Sequence, residues 1–192
     1  MKFYEFLKVL LLTLFGLAGS ILVGYLFYNN QIFVPNLSLF QFVTVGISGS
    51  FFFALLKYRT PKEQLFGILL IIVLDIVLFI GKSFSTTLLI RDLLYLSSLL
   101  LSIRIYYQFI QKNSELRYYL RSLIFMLLYL VFTIIFGVLV YFINVKFELP
   151  PIGFVMLTAK TSILIGLGIS IGIDFYLQNE KQIMQYAKSK NA

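Results

Sequence analysis

The sequence predicts an all-α fold, a compact bundle of six transmembrane helices in a polytopic membrane protein, and three observations predict it. The chain has 192 residues, of which 60% are hydrophobic and only 12% charged, against about 25% charged in a soluble domain. Six apolar stretches come close to or exceed the roughly 20 residues that a spanning helix needs. Positive charge also collects at one set of stretch ends. A soluble chain of this length would still need a polar surface, so the solvent around most of this one is lipid.

The first stretch, 7–28, follows a basic start at Lys2 and Lys8. Its apolar run is longer than the about 7–15 residues of a signal peptide, so it reads as an uncleaved first helix. Asn29, Asn30, Pro35 and Asn36 then break the chain before 37–57. Thr60 and Pro61 precede 64–81, and Gly81 to Ser85 precede 86–110. Lys112, Asn113 and Ser114 separate that stretch from 119–143, and Pro150–Pro151 opens 151–177. Breakers stand where connections are expected. No gap holds a soluble domain, so 1–178 reads as one transmembrane domain and 179–192 as a short polar cytoplasmic tail. That tail is expected to continue helix 6 along the inner surface, where its basic residues favour anionic headgroups.

Sidedness follows from the sixteen basic residues. Lys2, Lys8, Lys57, Arg59, Lys62, Arg104, Lys112, Arg117, Arg121, Lys181, Lys188 and Lys190 lie at one set of ends, and only Lys82 and Lys146 at the other. Positive charge marks the cytoplasmic side. Both termini are therefore expected in the cytoplasm, which requires an even number of crossings. Tyrosines cluster near the same ends, as interfacial aromatics do.

Composition also excludes functions. The chain contains no Cys, His or Trp. Zinc, haem and iron–sulfur sites draw on His or Cys, and histidine is the usual base of a serine hydrolase. No cofactor and no metal are expected. There is no phosphate-binding glycine loop. Gly172 and Asp174 are separated by Ile173, which breaks the Gly-Asp pairing of intramembrane aspartyl proteases. The expectation is a non-enzymatic protein. Its net charge of +8 reports topology, and no nucleic-acid partner is expected.

Two basic residues, Arg91 and Lys160, and three acids, Asp75, Asp92 and Asp174, fall inside predicted spans. A charge at the bilayer centre costs about 2.5–3.5 kcal/mol on insertion scales, so such groups tend to face the bundle. At about 1.5 Å per residue, Asp75, Arg91, Asp92 and Lys160 share one layer in the outer half, with Asp174 nearer the inner interface. Arg91, Tyr95, Ser98 and Ser102 lie on one face of helix 4, and Gln41, Thr44 and Ser48 on one face of helix 2. Together these groups either line a polar pocket for a small-molecule ligand or form buried ion pairs that fix helix register. Arg91 has a third option, snorkelling to the interface.

Gly16, Ser20 and Gly24 form a small-residue ridge on helix 1, beside Thr13, and Ser162, Gly166 and Ser170 form another on helix 6. Small residues four apart let helices approach closely. The ridges either pack within the bundle or dock another membrane protein.

Helix 3 begins Gly67-Ile-Leu-Leu-Ile-Ile-Val-Leu-Asp75, and Pro35-Asn36-Leu37 opens helix 2. Over roughly residues 30–85 this layout resembles two groups: the substrate-binding S-components of energy-coupling-factor vitamin transporters, and the cell-shape membrane protein MreD. The first resemblance implies an outward-facing pocket and a partner transmembrane subunit driven by ATPases. The second implies a scaffold of the cell-elongation machinery. The outer charged layer favours the first, so the expected function is a solute-binding or transport subunit of the cell membrane. The alternative is a cell-envelope scaffold, favoured by the lack of a long outer loop to cover a pocket.

Overall fold

The computed structural model describes residues 3–28, 39–80, 86–111, 116–144 and 150–189, and within them the side chains at 3, 28, 75, 78–80, 86–92, 110, 111, 144 and 187–189 lie outside the description. The described residues hold six α-helices and no strand: α1 Phe3–Tyr28, α2 Leu39–Tyr58, α3 Pro61–Ile80, α4 Thr86–Ile105, α5 Tyr118–Asn144 and α6 Ile152–Ser189. After α4 the chain widens into a π-helical turn, Tyr106–Gln111. Among the described residues, four helices are long and apolar enough to cross a membrane, over Tyr4–Phe27, Leu39–Tyr58, Tyr118–Ile143 and Ile152–Tyr186.

Several boundaries differ from the hydropathy reading, among them the start of α1 at Phe3, and two of them bear on where polar groups sit. α3 starts at Pro61, three residues early, because Thr60 and Glu63 form its N-cap. The Thr60 amide and hydroxyl both donate to the Glu63 carboxylate at 3.0 Å, and proline suits the first helical position, where no amide is needed. α6 runs unbroken for 38 residues, about 57 Å at the standard rise, so the polar segment after Leu177 belongs to the same helix. Ile183 and Met184 on that extension are still turned towards protein.

α1 packs most extensively on α6 and α2, and α5 on α6 and α4, while α3 leans mainly on α2 and meets α4 over few residues. The α1–α6 contact is backbone against backbone. A Cβ on Gly19 would lie 2.4 Å from the Gly168 carbonyl oxygen, and one on Gly172 would lie 2.1 Å from that of Phe15. Only glycine permits this approach, and without a hydrophobic force between helices in lipid it is the main source of their attachment. An aromatic stack of Phe53, Tyr106, Phe125 and Tyr129 fills the space between α2, the π turn and α5. One end of the bundle carries Lys8, Lys57, Arg59, Arg117 and Arg121 and is called the basic end.

Candidate functional site

The residues expected to share a layer fare differently. The side chains of Asp75, Arg91 and Asp92 lie outside the described residues. Lys160 is half-buried on α6. Tyr95 and Ser98 face α5. The Tyr95 hydroxyl lies 3.2 Å from where a Cβ on Gly137 would stand, with Thr158 beside it. Ser98 donates to the Tyr95 carbonyl at 2.7 Å and approaches Thr133 at 3.5 Å, and Ser102 donates to the Ser98 carbonyl at 2.6 Å. Hydroxyls that return to their own helix's carbonyls are satisfied locally, and Ser98 and Ser102 are of this kind.

The helix 1 ridge is covered by the chain itself. Gly16 faces Ser50 of α2 and Ile173 of α6, and Gly24 faces the Phe42 ring. Ser20 is fully buried and donates across the interface to the Phe42 carbonyl at 2.8 Å. These three positions hold α1 to its own neighbours and offer no surface to a separate protein.

The polar group that stands out lies at the basic end. Asp174 on α6 is 4% exposed, and Ser122 and Arg121 at the start of α5 are each 8% exposed. The Ser122 hydroxyl donates to Asp174 Oδ2. Arg121 lies near enough to attract the carboxylate, and its guanidinium sits 5.3 Å from the centre of the Tyr118 ring. Asp174 Oδ1 is buried with no hydrogen-bond partner. Buried carboxylates normally have both oxygens bonded, whereas Asp174 keeps one acceptor unused. The hairpin explains the meeting. α5 and α6 run antiparallel from a short turn, with Gly137 beside Thr158 and Gly166 beside Tyr129, and the same register brings Ser122 to Asp174.

A second cluster lies towards the chain termini. Glu180 of α6 pairs with Lys8 of α1 at 3.3 Å and Lys57 of α2 at 3.8 Å, and both ammonium groups sit over the Tyr58 ring. Arg59 reaches Glu5 at 3.5 Å and Glu63 at 3.8 Å. The Tyr58 hydroxyl lies beside Tyr176 and Glu180 without reaching hydrogen-bonding geometry, and the Tyr176 hydroxyl is likewise buried and unpartnered. Outside the spans, Glu63 is held below the usual carboxylate range, first by the Thr60 amide and then by the Thr60 hydroxyl. Among the described residues, no three His, Cys, Asp or Glu side chains gather as a metal site would require.

Sequence reasoning placed Asp174 near the inner interface but assigned Arg121 to the loop charges and passed over Ser122. Counting outward from the α5–α6 turn would have found the pair, since Ser122 and Asp174 are equally far from it. No protein-family model, no curated protein and no solved structure matches the chain.

Proposed function

We propose that this chain is a non-enzymatic, multi-pass protein of the cell membrane, crossing six times with both termini cytoplasmic, and that it serves as a solute-binding or transport subunit. The observation that carries the reading is Asp174, a carboxylate inside a membrane-length helix with one buried oxygen left without a partner. Ionisable groups in such positions are expensive and mark solute or ion pathways. A bundle that only had to hold its shape would gain nothing from that unpartnered oxygen. The likeness of residues 30–85 to transporter S-components supports the same class, and in that case a second membrane subunit is the partner.

The test uses the purified chain in nanodiscs, with thermal stability followed across a panel of small metabolites and inorganic ions. A solute that stabilises the native chain, and no longer stabilises a folded Asp174→Asn variant, supports the reading. The scaffold alternative rests on a specific observation as well: the small-residue ridge and the α4 hydroxyl stripe are both consumed by internal packing. It predicts that no solute shifts stability. It also predicts that the chain co-purifies with cell-wall synthesis proteins whether or not Asp174 is intact.

A further inference from the structure

Glu180 of α6 stands between two sets of donors and uses only one of them. It takes the ammonium groups of Lys8 at 3.3 Å and Lys57 at 3.8 Å. Those side chains are 35% and 27% exposed, and an ion pair open to solvent is worth at most about fivefold in an equilibrium. The Tyr58 hydroxyl lies beside the Glu180 carboxylate and beside the Tyr176 hydroxyl. Both hydroxyls are buried, and neither has a hydrogen-bond partner among the described residues. A buried hydroxyl left unpaired costs on the order of tenfold. The lysines do not need these oxygens. Their ammonium groups sit over the Tyr58 ring at 5.5 and 5.4 Å, and a phenylalanine ring would attract them as well.

We propose that Glu180 is a switch read by anionic phospholipid: when Lys8 and Lys57 turn to a headgroup phosphate, Tyr58 donates to Glu180 and Tyr176 donates to Tyr58. In the arrangement seen here the lysines tie α1 and α2 to α6. In the other, the two phenols tie α2 to α6, and Lys8 of α1 is released to the lipid. The two arrangements are closely balanced. Each lysine gains about fivefold from an anionic membrane surface, which matches the ion pair it gives up, and the phenols gain the partners they lack. A ligand that favours one of two such states shifts the population towards it. A headgroup is the occupant because Lys8 and Lys57 lie near the basic ends of two membrane-length helices, where long lysine stems reach the interface. The switch lies on the α1–α2 side of α6, away from Ser122, and stands or falls apart from the proposed solute function.

The test is the effect of Tyr58→Phe on unfolding of the full chain, followed by circular dichroism in bicelles. One set is phosphatidylcholine alone, and the other carries a fixed fraction of phosphatidylglycerol. Phenylalanine keeps the ring under both lysines, so the variant retains the fold. In phosphatidylcholine the change removes an unpaired hydroxyl, and the folded-to-unfolded ratio should rise or stay level. In the anionic lipid it removes a hydrogen bond to a carboxylate, and the ratio should fall about tenfold. Tyr176→Phe should follow the same pattern. In Lys8→Gln/Lys57→Gln, where no ammonium holds Glu180, the Tyr58→Phe loss should appear in both lipids. The same effect of Tyr58→Phe in both lipids on the native background, whether loss or gain, overturns the switch. A Tyr58→Phe change that stays harmless in the glutamine pair overturns it as well. Inorganic phosphate added to phosphatidylcholine bicelles should leave the result unchanged. If it reproduces the effect of phosphatidylglycerol, the reader is a free anion and the lipid proposal fails.

Discussion

Gly172→Ala is the sharpest test of the bundle, because the added methyl meets backbone. Its Cβ would lie 2.1 Å from the Phe15 carbonyl oxygen, 2.7 Å from Gly16 Cα and 2.8 Å from the Phe15 carbonyl carbon. An ordinary contact begins at 3.4 Å, so α1 and α6 must separate by more than an ångström or shift in register. The same separation loosens Gly19 against Gly168 and Gly168 against the Ser20 backbone, so the loss is shared along the whole seam. Overpacking of this kind costs about 1–3 kcal/mol, and the lost seam contacts place it at the upper end. The gain from replacing a helical glycine, at most about 1 kcal/mol, offsets part of it. A net loss of about 1–2 kcal/mol is expected. Gly153→Ala supplies the control, since nothing lies within 4 Å of its Cβ and only the helix gain remains. Gly67→Ala should fall between them, because its 2.0 Å contact is the mobile end of Leu55. Reversible unfolding in mixed micelles, followed by circular dichroism, ranks the three. Gly172→Ala as stable as Gly153→Ala would refute the backbone-to-backbone seam.

Topology is checked by cysteines, against a background without native ones: an impermeant thiol reagent outside the cell should label Asn30→Cys, Ser83→Cys and Lys146→Cys but not Arg59→Cys or Asn113→Cys. The α3 cap gives a pH signature. Glu63 has a lowered pKa in the folded chain, so its contribution is present above the unfolded value and is lost as pH falls through the folded one. The stability difference between the native chain and Glu63→Gln should therefore shrink on acidification, and a difference that grows instead contradicts the cap. Glu180→Gln leaves Lys8 and Lys57 facing each other without their shared partner, and should lower the melting temperature by a few degrees at low ionic strength and less at high salt.

The hydropathy of the chain announces its helices plainly, because lipid removes the polar face that makes soluble helices ambiguous. The starts of α4 and α5 and the end of α1 fall within a residue of where apolar length and breakers put them. The C-terminal extension, expected as a continuation of helix 6 and found as one, leaves no trace in the hydropathy itself. Gln178 to Ser189 lacks apolar residues in number, yet Gln, Glu, Lys, Met and Ala are good helix formers and nothing interrupts α6. The π turn at Tyr106–Gln111 leaves no compositional trace, since it depends on how Tyr106 fits between Phe53 and Phe125. For the site, hydrophobicity could identify which charges were buried but not which helix each one faced. That is why the approach of Ser98 to Thr133 across the α4–α5 contact and the Ser122–Asp174 pair, both matters of hairpin register, went unread.

The polar side chains inside the bundle fall into three physical classes, and only one separates a working site from packing. Thr13, Thr133 and Ser162 return their hydroxyls to carbonyls four residues back; they are satisfied by their own helix and carry no message about partners. Ser20 sends its hydroxyl across to the Phe42 carbonyl, and so fixes α1 against α2. Asp174, Tyr176, Ser50 and Tyr58 bury oxygens with no protein partner, and each such group costs about 1–3 kcal/mol if left unsatisfied. All four sit on α2 and α6, towards the basic end. α6 is also the helix that glycine contacts lock to α1, so the α1 side cannot open without breaking the tightest seam in the molecule. Under the proposed function, a path to Asp174 that leaves this seam intact runs on the α5 side, past Ser122, Arg121 and the neighbouring π turn, where the helix geometry is already irregular.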